Sequence, residues 1–239
     1  MKVLIIGDVM GKPGRDAMKE FLDKKKNDYD FVIVNGENAA AGFGITPKIA
    51  DEFFELGVDV ITSGNHIWDK KELYSYLNEN KNILRPLNYP KGVPGFGYTI
   101  KENGKGEKIA VINIQGRVFM PEVDSPFQRI EEAIEEIKKE TKNIIVDFHA
   151  EATSEKLAMG WYLDGRVSAV YGTHTHVQTA DERILEKGTG FINDVGMTGS
   201  HDSIIGMTIE TVLPKFLTSL PSRFEVATGN VKVNGIELH

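Results

Sequence analysis

Val3-Leu4-Ile5-Ile6-Gly7-Asp8 opens the chain with an apolar, β-branched run that ends in a carboxylate. Four more apolar runs end in polar side chains that can bind metals: Glu37-Asn38, Asn65-His66, His149 and His174-Thr175-His176. Runs of this length and composition are typical of buried strands, so the pattern predicts five strands that end in carboxylates, amides and imidazoles. Because open α/β sheets place their sites at the carboxyl edge of the strands, we expect these side chains to meet there.

Helical patterns separate the first strands. A helix is predicted near Ala17 to Lys25, between strands near Val3 to Ile6 and Phe31 to Val34. A second helix is predicted to begin at Thr46-Pro47, where threonine is a favoured N-cap and proline a favoured first helical residue. This βαβα order predicts a largely parallel sheet.

The second half of the chain has a different pattern. Asn103-Gly104-Lys105-Gly106 lies between two strand-like runs and predicts a β-hairpin, and Ser125 to Glu140 has the apolar spacing of an amphipathic helix. Further antiparallel strands are predicted from short runs at Arg183 to Leu185, Phe191 to Asn193 and Phe224 to Val233. The sequence therefore predicts an α/β protein with both parallel and antiparallel pairing.

The composition is that of an ordinary globular protein. With 239 residues, 41% of them hydrophobic, the chain can form one domain over residues 1–239. A net charge of −7 argues against duplex nucleic acid as a partner, whereas a single nucleotide remains compatible with it. There is no cysteine and no apolar run of transmembrane length, so we expect a cytoplasmic protein without a membrane partner.

Each candidate site residue also has a structural explanation when it is taken alone. Asp8 could cap a turn, Asn65 could hold a loop, and His149 could be a hydrogen-bonded core histidine. The joint arrangement favours a shared metal site, because four of the six histidines follow apolar runs and the polar strand ends accompany them. Two ions about 3.5–4 Å apart can bind a phosphate and stabilise an in-line displacement, for which Glu37 is the leading candidate as a bridging carboxylate.

These motifs resemble those of a known family. Gly64-Asn65-His66 and Gly172-Thr173-His174-Thr175-His176 are similar to motifs of the dinuclear metallophosphoesterases of the calcineurin-like superfamily. Over its whole length the chain resembles the bacterial YmdB-like branch, which hydrolyses 2′,3′-cyclic nucleotides and other phosphodiesters. The resemblance implies a metallo-dependent phosphatase-like α/β/β/α sandwich, in which two mixed β-sheets are flanked by helices.

The resemblance also implies a ligand set and a mechanism. One divalent ion would be bound by Asp8, Glu37, Asn38 and His176, and the second by Glu37, Asn65, His149 and His174. The wider superfamily has a histidine where Met10 stands here, and thioether sulfur is a poor ligand for hard ions, so Asn38 would replace that histidine. Iron or manganese suits these donors best, with zinc as a third choice. A hydroxide held between the ions would attack phosphorus, giving a 3′-nucleotide.

His66 is left without a metal in this scheme, so we expect it to be the general acid that protonates the leaving 2′-oxygen. It could instead orient the substrate or belong to the core. Two other functions remain open: a phosphomonoesterase or 5′-nucleotidase with the same metals, and a non-enzymatic nucleotide-binding regulatory module. A homo-oligomer is also compatible with the sequence.

Overall fold

The computed structural model describes residues 1–239. Its strands are β1 Val3–Ile6, β2 Asp8–Val9, β3 Phe31–Asn35, β4 Val60–Thr62, β5 Tyr98–Glu102, β6 Lys108–Gln115, β7 Ile144–His149, β8 Ala169–Thr173, β9 Arg183–Ile184, β10 Gly190–Ile192, β11 Met197–Ser200, β12 Val231–Lys232 and β13 Gly235–Leu238. The α-helices are α1 Gly11–Lys25, α2 Pro47–Glu55, α3 Leu73–Glu79, α4 Pro126–Ile137, α5 Thr153–Leu163 and α6 Ile209–Thr218. Short 3₁₀ helices span Lys26–Asp28 and Asn65–Trp68, and the second of them begins at a candidate site residue.

Two main sheets form the framework. The first has the order β13-β1-β3-β4, in which β1, β3 and β4 are parallel and β13 is an antiparallel edge strand. The second has the order β5-β6-β7-β8-β10-β9, with four parallel central strands between antiparallel edges. A small third sheet, β12-β11-β2, joins the N-terminal region to the C-terminal part of the chain.

The two main sheets face each other. Ile5 and Ile33 of the first sheet share an apolar core with Val111, Ile145 and Tyr171 of the second. Because side chains alternate along a strand, the neighbours of these residues point to the outer faces, which explains why the parallel strands are apolar throughout. Every residue of β1, β3, β7 and β8 is buried.

Helices cover both outer faces. On the first sheet, Met18 of α1, Phe53 of α2 and Leu77 of α3 pack with Ile6 and Val34. On the second, α4 contributes Ile130, Ile134 and Ile137, and α5 contributes Met159 and Leu163. The predicted α/β/β/α sandwich of two mixed sheets flanked by helices is confirmed, and the small third sheet is an addition to it. None of the helices has the length and apolar character needed to cross a membrane.

Several predicted elements are found where they were expected. The hairpin pairs Tyr98 with Ile112 and Glu102 with Lys108 in antiparallel register. Thr46 caps α2, because its side chain accepts a hydrogen bond from the Ile49 N–H. The helices α3, α5 and α6 were not predicted.

The C-terminal strand predictions were wrong in two respects. The run at Phe191 forms β10, which pairs in parallel with β8, and only its other edge, with β9, is antiparallel. Phe224 to Val233 is not one strand, since the chain turns at Asn230, with φ of 49°, between an isolated bridge at Val226 and β12. After β12, which pairs with β11, the chain continues into β13, which pairs with β1 and forms the edge strand of the first sheet.

Candidate metal centre

All eight predicted site residues lie where strands end, at the edge shared by the two main sheets. Asp8 begins β2, His149 ends β7, and the others follow β3, β4 or β8: Glu37, Asn38, Asn65, His66, His174 and His176. Hydrogen-bond and ion-pair distances join most of them, and Asn38 and His176, which contact each other, line the same cavity as Glu37, His66 and His174. The sequence prediction that these side chains meet is therefore confirmed, whereas their roles as ligands and catalyst stay predictions.

Four of these residues point lone pairs at one another, and we call them the His149 set: Glu37, Asn65, His149 and His174. His149 Nε2 lies 3.1 Å from Glu37 Oε1, 3.3 Å from Asn65 Oδ1 and 3.1 Å from His174 Nδ1. Glu37, His149 and His174 offer atoms within 4.8 Å of one another, which is close enough to share an ion.

Thr173 determines which nitrogen of His149 carries a proton. The Thr173 hydroxyl donates its one proton to Asp147 Oδ1 at 2.7 Å, so it must accept from His149 Nδ1 at 2.9 Å. In the neutral ring the proton is therefore on Nδ1, and Nε2 presents its lone pair to the other members of the His149 set. Such a second partner is the usual way in which a protein orients a histidine that binds a metal.

The remaining ligand candidates form a second group, the His176 set: Asp8, Asn38 and His176, beside Glu37. His176 Nδ1 donates to the carbonyl of Ile205 at 2.9 Å, which leaves Nε2 unprotonated at 3.3 Å from Asn38 Oδ1. The Asn38 amide nitrogen donates to Gly42 O at 2.9 Å, so its oxygen is free to face His176. Two acceptors therefore approach each other here without a proton between them.

Two buried carboxylate oxygens in this centre lack hydrogen bonds. Asp8 and Glu37 are fully buried, and Asp8 Oδ1 and Glu37 Oε1 accept no hydrogen bond from the protein. Leaving such groups unpaired costs free energy, and a buried carboxylate normally has a cationic partner. These orphaned oxygens and the converging lone pairs fit divalent cations bound by nitrogen and oxygen.

Burial and the charges within the centre shift the pKa values of its side chains. Burial lowers the pKa of His174 to about 3, with a further contribution from the charge of His149, and burial also lowers the pKa of His176. Burial raises the pKa of Asp8 well above its usual value. For Glu37, burial raises the pKa but His149 outweighs it, and the result is a pKa of about 2. Burial lowers the pKa of His149, but the neighbouring carboxylates of Glu37, Asp8 and Asp147 outweigh it, so this pKa is raised. A cation that binds at this centre would displace the His149 proton, because imidazole binds metals in its neutral form.

The loop after β8 is bent in an unusual way. His174 and His176 have φ of 94° and 65°, in the left-handed region that residues with a side chain rarely adopt. Gly172 itself lies in β8, where a Cβ would be 1.8 Å from Asn193 O. The turn comes after Thr173 and aims the two imidazoles at different sets.

A buried lysine that sequence reasoning missed supports this loop. Lys156 Nζ donates to Asp194 Oδ2 at 2.7 Å and to Thr173 O at 2.8 Å, and both charged side chains are 2% exposed. Asp194 also accepts from the Thr175 N–H and hydroxyl. Nothing in the sequence marks Lys156, because a lysine in a helix normally faces water.

His66 lies beside the metal candidates without joining them. Its backbone N–H donates to Glu37 Oε2 at 3.2 Å, and its Nδ1 lies 2.9 Å from Asp69 Oδ2. Nε2 makes no hydrogen bond to the protein, and the ring packs edge-on against Phe43 with centroids 5.1 Å apart. Asp69 was not identified from the sequence, although its place three residues after His66, just past the 3₁₀ helix, is a usable signal.

A cavity of about 530 Å³ opens beside this centre. Glu37, Asn38, His66, His174 and His176 line its polar side, and apolar side chains line the opposite side. This volume is ordinary for a small-molecule site. The arrangement combines a cation-binding cluster, a histidine with one free nitrogen, and room for a small ligand.

The chain is similar to several known proteins. The 2′,3′-cyclic-nucleotide 2′-phosphodiesterase of Bacillus subtilis strain 168 is 56% identical over 239 residues, which cover 99% of this chain and 90% of that protein. A hypothetical protein from Thermus thermophilus has a crystal structure with a TM-score of 0.96 at 47% identity, covering 100% of this chain and 93% of that one. A novel phosphatase from Mycoplasma pneumoniae has a crystal structure with a TM-score of 0.91 at 39% identity, and the match covers 99% of this chain and 86% of that one. Residues 4–239 match the family described as YmdB-like protein, and the chain therefore belongs to that family.

Proposed function

We propose that this protein is a metal-dependent phosphodiesterase that hydrolyses the 2′-ester bond of 2′,3′-cyclic nucleotides, giving 3′-nucleotides, and related phosphodiesters. The observation that carries this proposal is the convergence of imidazole nitrogens and unpaired carboxylate oxygens beside a histidine with a free Nε2. The Bacillus subtilis relative, named as a 2′,3′-cyclic-nucleotide 2′-phosphodiesterase, supports the substrate class.

The two sets of side chains would bind two divalent ions. Asp8, Asn38 and His176 would hold one, Asn65, His149 and His174 the other, and Glu37 would contact both. When bound, such ions neutralise phosphate charge and make a water molecule a stronger nucleophile at neutral pH. We expect the bound ions to be iron or manganese, because carboxylate, amide and imidazole donors suit these two metals. Zinc is a less favoured choice.

The chain's own residues then account for the leaving group. The ribose 2′-oxygen departs with negative charge and requires a proton. His66 lines the cavity beside Glu37 and has Nε2 free, so it can donate that proton. Asp69 accepts from Nδ1, which fixes the ring orientation.

The first test is hydrolysis of 2′,3′-cyclic AMP by manganese-loaded protein, with chromatographic separation of the two products. We expect 3′-AMP to form. Formation of 2′-AMP would contradict the assigned bond. Faster release of phosphate from 3′-AMP or 5′-AMP than opening of the cyclic ester would instead favour the phosphomonoesterase alternative, and binding without any turnover would favour the regulatory module.

Other features expected from the sequence stay predictions. These are the single domain over residues 1–239, the cytoplasmic location, the absence of duplex nucleic acid as a partner, and a homo-oligomer. Size-exclusion chromatography with light scattering measures the last of them directly.

A further inference from the structure

The side chains of one wall of the cavity have no role in metal binding or proton transfer. This wall is formed by α6 and its flanking segments, and we call it the α6 wall: Ile205, Met207, Val212, Phe216 and Phe224. Phe43 continues the wall toward His66. Val212 and Met207 are 5% exposed and anchor the wall, whereas Phe216 is 75% exposed. A large aromatic side chain left open to water beside a reactive centre requires an explanation.

The α6 wall and the metal candidates share one continuous space. The same 530 Å³ cavity is lined by Glu37, His174 and His176 and by Phe216 and Phe224. His66 and Phe43 lie in edge-on contact and also line this space. A ligand with its phosphate at the metals and its leaving oxygen at His66 would therefore direct its remaining atoms toward the α6 wall.

We propose that the α6 wall binds the nucleobase of the substrate, which stacks on Phe216 and Phe224. This inference rests on the proposed function and adds a second recognition element to it. Flat aromatic faces are the surfaces on which bases stack, and such stacking is sequence-tolerant because every base has a π-face. The apolar wall takes the base and the polar side takes the phosphate, as in sites where a few polar groups orient a largely apolar ligand.

Because few polar side chains lie along the α6 wall, we expect the protein to discriminate weakly among bases. Away from the metal candidates and His66, the polar side chains that line the cavity are Lys215 and Ser219. Lys215 is a donor only, and its ammonium lies 5.1 Å from the centroid of the Phe224 ring. Because every base offers an acceptor, neither residue can separate the four bases sharply. We expect kcat/KM values for the four 2′,3′-cyclic nucleotides within about tenfold of one another.

The decisive comparison uses a substrate with a base and one without. Kinetics of 2′,3′-cyclic AMP and of glycerol 1,2-cyclic phosphate are measured with the manganese-loaded wild type, Phe216→Ala and Leu217→Ala. Leu217 is the matched control, because it is also 75% exposed on α6 but does not line the cavity. Both side chains are largely exposed, so neither variant should lose the fold, and circular dichroism melts verify this.

We expect Phe216→Ala to raise KM for the nucleotide by about 5- to 150-fold, the range that loss of one base–aromatic stack covers, and to leave the base-free substrate unchanged. Leu217→Ala should change neither substrate. An equal effect of Phe216→Ala on both substrates, or no effect on either, would overturn the proposal.

A binding measurement separates this inference from the proposed function. Isothermal titration of 3′-AMP and of inorganic phosphate into the loaded protein does not depend on turnover. We expect 3′-AMP to bind at least about tenfold more tightly than phosphate in the wild type, and this advantage to fall at least about fivefold in Phe216→Ala. If neither cyclic substrate is hydrolysed but the advantage is present, the proposed activity fails and base binding stands. Equal affinities for the two ligands would refute base binding even in an active enzyme.

Discussion

Replacing Lys156 by methionine tests how the strained loop after β8 is held. The substitution keeps most of the side-chain volume and removes the ammonium that lies 2.7 Å from Asp194 Oδ2 and 2.8 Å from Thr173 O. Asp194 would then be a buried carboxylate without a cation, beside the segment that carries His174 and His176.

The expected cost follows from the burial of the pair. Both side chains are 2% exposed, so water cannot replace the lost partner. Removing one member of a buried ion pair typically costs about 3–5 kcal/mol, because the remaining charge is uncompensated. For a chain of this size, that loss corresponds to a fall in Tm of roughly 6–20 °C. We also expect weaker metal binding, since relaxation of the loop would let the two imidazoles leave their left-handed conformations.

Urea denaturation of the wild type, Lys156→Met, Asp194→Asn and the double variant measures the coupling in the free energy of unfolding. We expect the double variant to lose about 1–3 kcal/mol less than the sum of the single variants, because it buries no unpaired charge. Metal titration of each folded variant provides the second readout. A loss below about 1 kcal/mol for Lys156→Met, or strictly additive single effects, would refute the account of Lys156 and Asp194 as a coupled support of the loop.

Three other predictions concern the site and the surface. His66→Ala should keep the metal content of the wild type and lower kcat by about 10²- to 10⁴-fold, as measured by elemental analysis and steady-state kinetics; normal turnover would remove His66 as the general acid. Gly64→Ala should fold but lose metal, because a Cβ there would lie 2.1 Å from His149 Nε2; full metal content by elemental analysis would contradict this. The hydrogen bond from Arg166 holds the pKa of Glu131 at about 2, below its ordinary 4.5, so the stabilisation is present above pH 4.5 and is lost as the pH falls toward 2. Glu131→Gln should therefore lower the free energy of unfolding at pH 7 but not at pH 2, by less than about 1 kcal/mol because the pair is about one-third exposed. Equal shifts in Tm at both pH values in thermal melts would contradict this sign.

Much of the framework could be predicted from local patterns. The strands at Val3–Ile6 and Phe31–Asn35, the hairpin around Asn103 and the helix Pro126–Ile137 follow from short-range features: β-branched runs, turn residues and helical spacing. Helix α5 was missed because its buried residues include Glu155 and Lys156, which a pattern of apolar and polar residues assigns to the surface. The run at Phe191 was placed in an antiparallel pair because its sequence carries no information about its parallel neighbour β8.

In the candidate site, too, some features follow from the local sequence and others depend on the tertiary structure. The sequence by itself determined which side chains end the strands, because a buried apolar run must stop where the chain reaches the polar edge of the sheet, and it thereby identified Asp8, Glu37 and His149. Only the tertiary structure decided which atoms of these residues carry protons, how Lys156 supports the loop, and which apolar side chains form the α6 wall. These features depend on contacts between segments far apart in the chain, such as Phe43 with His66 and Lys156 with Asp194, and no local periodicity encodes such contacts.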